Sequence, residues 1–79
     1  SLVSDGAAAV VLSSRPSPVR LSGLGQASGP VALADRSSIT TFSATRHAAA
    51  KAYAMAQCTP SEIDLAEVHD CFTIAELIA

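Results

Sequence analysis

The chain is 79 residues long and 49% apolar but only 4% aromatic, with 5 basic and 7 acidic residues giving a net charge of −2. That length allows one small domain at most, with a thin core. Its apolar residues are mostly Ala, Val, Leu and Ile, and they gain little unless both faces of an element are covered. No basic run and no basic–aromatic interleaving supports binding to nucleic acid or to a charged membrane surface. No stretch reaches the ~18–20 apolar residues of a membrane helix, and no signal peptide is legible. Cys58 and Cys71 make neither a disulfide framework nor a CxxC motif, so a reducing, cytoplasmic setting is expected.

In chain order, Asp5-Gly6 is a turn signal. The run GAAAVVLSS over 6–14 then predicts a short buried strand. SSRPSP follows, and its prolines forbid both helix and ladder pairing. VRLSGLGQA over 19–27 alternates Val19 and Leu21 with Arg20 and Ser22, a half-exposed strand that loosens at Gly23 and Gly25. The two strands are spaced to pair antiparallel across a short loop. Gly23-x-Gly25 lacks the third glycine and following helix of a nucleotide fingerprint, so a bulge or strand end is the better reading. Residues 28–43 have little period and read as a linker.

SATRHAAAKAYAMAQ over 43–57 predicts a helix, with Ser43 as N-cap and seven alanines supplying propensity. Ala49, Tyr53 and Ala56 share one face, and Arg46, His47 and Lys51 mark the wetter side. Thr59-Pro60-Ser61-Glu62 is a helix-start signature that yields only a turn here, because IDLAEVHD over 63–70 alternates as a third strand. CFTIAELIA then carries Phe72, Ala75 and Ile78 at helical spacing. The order strand–strand–helix–strand–helix predicts an α/β arrangement. The chain opens on Ser, and its last helix reaches Ala79 without a Gly cap, a basic last turn or a Pro stop. A fragment of a longer protein is therefore expected.

His69, Asp70 and Cys71 converge where the third strand meets the last helix. Residues two apart on a strand share a side, and a helix start lowers the pKa of a nearby thiol. Cys71 is thus either a nucleophile with His69 as its base or a small residue filling a gap. His69 has three readings: a satisfied core histidine, a metal ligand, or a strand-end imidazole that donates to a developing oxyanion. No ligand spacing beyond Asp70 and Cys71 supports metal. Asp70 is the natural N-cap of the last helix.

Taken with SDGAAAVVL and AAAKAYAMAQCTPSEIDLAEVHDCF, the His69-Asp70-Cys71-Phe72 motif resembles the thiolase family of acyltransferases, in its sterol-carrier-protein-type and archaeal branch. Most thiolases carry Asn-Glu-Ala-Phe there; this branch carries His-Asp-Cys-Phe. The resemblance runs from Ser1 to Ala79 and is weakest over 15–42. It implies a fragment of a five-layer fold of two similar α/β halves. Residues 1–30 would be the last two strands of the N-terminal half. Residues 31–79 would be the linker and the first helix, strand and following helix of the C-terminal half. It also implies acyl exchange between an enzyme cysteine and coenzyme A, by 3-ketoacyl-CoA cleavage or acetyl-CoA condensation.

On the same resemblance, His69 helps form the oxyanion hole, Phe72 lines the pocket, and Ser1 falls at a pantetheine-contacting serine. No metal and no cofactor is implied, since the coenzyme A thioester is substrate. The parent would be a homo-oligomer, a dimer or tetramer, with no nucleic-acid or membrane partner. Neither Cys58 nor Cys71 matches a family catalytic cysteine, so the fragment alone is expected to be inactive. Two alternatives stand beside this reading. One is a retro-aldol lyase acting on CoA-linked steroid side chains with a small OB-fold partner; the other is a non-catalytic thiolase-like scaffold.

Overall fold

Residues 3–78 are described by the computed structural model, and two α-helices carry its regular structure: α1, Ser43–Ala56, and α2, Thr73–Ile78. Single 3-10 turns lie at Leu33–Asp35 and Pro60–Glu62. The predicted helix over 43–57 is present almost to the residue. Its start differs in detail, because the N-cap is Phe42 and no side chain caps it. The Arg46 N–H donates to the Phe42 carbonyl at 3.0 Å.

The end of α1 carried no glycine signal. Gln57 takes the left-handed conformation (φ 54, ψ 42). Its N–H donates to the Ala54 carbonyl at 3.3 Å, and the Cys58 N–H donates to Tyr53 at 3.2 Å. This is the bond pattern of a Schellman motif, with glutamine where glycine is usual. Thr59–Glu62 makes the expected single turn. The Glu62 carboxylate accepts from the Thr59 N–H at 2.7 Å and from its hydroxyl at 2.8 Å.

The predicted strand–strand–helix–strand–helix order is not what forms. Among the described residues there is no β-strand, and the α/β arrangement gives way to two helices joined by irregular chain. The stretches 6–14, 19–27 and 63–70 are non-helical and unpaired; no backbone–backbone hydrogen bond joins any of them to another. The physical reason is non-locality. A helix satisfies its peptide groups within its own segment, whereas a strand exists only where a second strand accepts its ladder. Alternation in the sequence specifies which face would be buried, not that a partner is in place.

No described residue is buried. The radius of gyration is 15.7 Å, against about 12 Å for a compact domain of this length. Packing is concentrated on one face of α1. Ala44, Ala48, Ala52 and Ala56 form its i, i+4 row and are half-buried, as are Ala49 and Tyr53. Gly23 and Gly25 lie against this row: a Cβ on Gly23 would overlap the Ala52 carbonyl oxygen, and one on Gly25 that of Ala48. Farther along, Gly29 lies beside Ala44. The segment thus runs antiparallel to α1. Lys51 fastens it, its Nζ donating to the Gln26 carbonyl at 3.2 Å. The two glycines mark a close backbone approach rather than a strand end, the other physical use of glycine in extended chain.

Candidate functional site

His69 lies where the irregular segment from Ile63 runs into α2. The Ala75 N–H donates to the Phe72 carbonyl at 2.8 Å, so the helix begins at Thr73 and Phe72 stands just before it. Asp70 is three residues short of the first helical residue. It makes no side-chain hydrogen bond among the described residues and is not the cap the sequence suggested. The chain bends at Cys71 and Phe72, which breaks the extended alternation that would have aligned His69 with Cys71.

The four motif residues are all exposed, and Phe72 is 76% exposed. His69 and Cys71 share no hydrogen bond. Cys58 and Cys71 are both free thiols. Ser1 lies outside the described residues. Among the described residues, no group of three or more His, Cys, Asp or Glu is placed to hold a metal ion, and no helix is long and apolar enough to cross a membrane.

Two hollows open elsewhere. One, of about 310 Å³, is bounded by Gly29, Arg36, Ser38, Thr41, Phe42 and Ser43 at the start of α1. Arg36 stacks over the Phe42 ring there, 5.7 Å from its centroid. In the sequence, the serines and threonines of this cluster look like a polar linker. A run of hydroxyls leading into an alanine-rich helix was the available signal. The other hollow lies between the arms that flank Pro16. Neither includes His69 or Phe72, so the motif stands at an open junction rather than in a cavity. One carboxyl is held below its usual range: Glu62, chiefly by the Thr59 N–H and secondarily by its hydroxyl.

Comparison with known proteins bears on that junction. The model of the family described as thiolase C-terminal domain-like matches residues 25–79. An acetyl-CoA acetyltransferase of Methanothermobacter thermautotrophicus is 48% identical over 86 aligned positions, covering 100% of this chain and 22% of that protein. An acetyl-CoA acetyltransferase of Methanocaldococcus jannaschii is 41% identical over 87 positions, covering 99% of this chain and 22% of its own length. The chain therefore spans about a fifth of the length of these curated relatives. No solved structure matches.

Proposed function

This chain belongs to the thiolase C-terminal domain-like family, and from that premise we propose that it is a segment of a thiolase-type acyltransferase that moves acyl groups between an enzyme cysteine and coenzyme A. The observation that carries the proposal is similarity along the whole chain, at 48% and 41% identity, to two proteins named acetyl-CoA acetyltransferase. In this reading, residues 1–30 belong to the N-terminal half of the parent and 31–79 to its C-terminal half. The family match over 25–79 supports the second assignment.

His69 is the group proposed to act. When a thiolate attacks a thioester carbonyl, the carbonyl oxygen gains negative charge, and a fixed N–H aimed at that oxygen lowers the barrier. The His69 ring is exposed and makes no hydrogen bond within the described chain, so its N–H is free to donate to a substrate oxygen. Phe72 supplies an apolar wall beside it, and Ser1 a contact to the pantetheine arm. Neither Cys58 nor Cys71 is assigned the attack. Coenzyme A thioester is the substrate, no cofactor is invoked, and the parent assembles as a dimer or tetramer.

The test is made in the full-length parent. His69→Ala should lower the acyl-transfer rate by about 100-fold or more while the variant melts like the wild type. A stable His69→Ala enzyme with undiminished turnover would overturn the oxyanion assignment.

A further inference from the structure

We draw no further inference here: the strongest candidate, the hollow at the start of α1 bounded by Arg36, Ser38, Thr41, Phe42 and Ser43, rests on a helix N-terminus alone, since among the described residues no polar side chain is buried and nothing in the structure shows what covers it.

Discussion

The seam between α1 and the Gly23–Gly29 segment and the junction at His69–Phe72 are built on opposite principles. At the seam, small residues bring two backbones together, and a lysine ties one to the other. At the junction, an imidazole, an acid, a thiol and a phenyl ring all face solvent without internal partners. Side chains that hold a fold consume their bonding capacity internally, and side chains that meet a substrate must keep it free. The seam should therefore report in stability, and the junction in chemistry.

The largest expected effect separates the two. His69→Ala in the parent should move turnover by about two orders of magnitude and leave the melting temperature unchanged. An equal loss of stability would make His69 a structural residue and erase the contrast. Next comes a matched pair of glycine substitutions. Gly25→Ala drives a methyl into the Ala48 carbonyl, whereas Gly6→Ala meets nothing within 4 Å. The first should loosen the seam by about 1–3 kcal/mol, as overpacking does. The second should be nearly silent. Hydrogen exchange of the α1 amides reads both, and equal protection in the two variants would show that the seam contributes nothing to the helix.

A smaller effect lies within α1 itself. Ala50 is exposed, so Ala50→Gly changes helix propensity without touching the seam. It should cost about 1 kcal/mol, seen as lost helical circular dichroism. The smallest effect is a pH response at Glu62. Thr59 holds this carboxyl below its ordinary pKa in the folded turn. The turn is therefore favoured above the open-chain pKa and loses that support as pH falls through the lowered folded value. The Thr59 amide resonance should shift over that acid range, and Glu62→Gln should abolish the shift.

What was legible in the sequence divides along the line between local and distant interactions. The alanines of 43–57 encode α1 because each helical bond closes within four residues. Thr59-Pro60-Ser61-Glu62 encodes its turn for the same reason. The alternation of Val19 with Arg20, or Ile63 with Asp64, encodes a preference that only a distant partner can fulfil, and among the described residues no such partner lies along it. The halt of α1 was illegible because Gln57 does what a glycine would have announced. The motif at His69 was legible as a junction. Its openness was not, because enclosure depends on packing that no local pattern reports.

The alanine row and the glycine segment resemble the two scales of a vernier. Successive alanines of the row are about 6 Å apart along the helix axis, and the span from Gly23 to Gly25 is about 6.6 Å if fully extended. Sliding the segment by one helical turn would again set glycines against alanines, with nearly the same surfaces in contact. Close packing of such small groups holds the backbones near one another but chooses poorly among positions. The Lys51 ammonium on the Gln26 carbonyl belongs to one position only, and Lys51→Met should leave the two backbones adjacent while letting them slip.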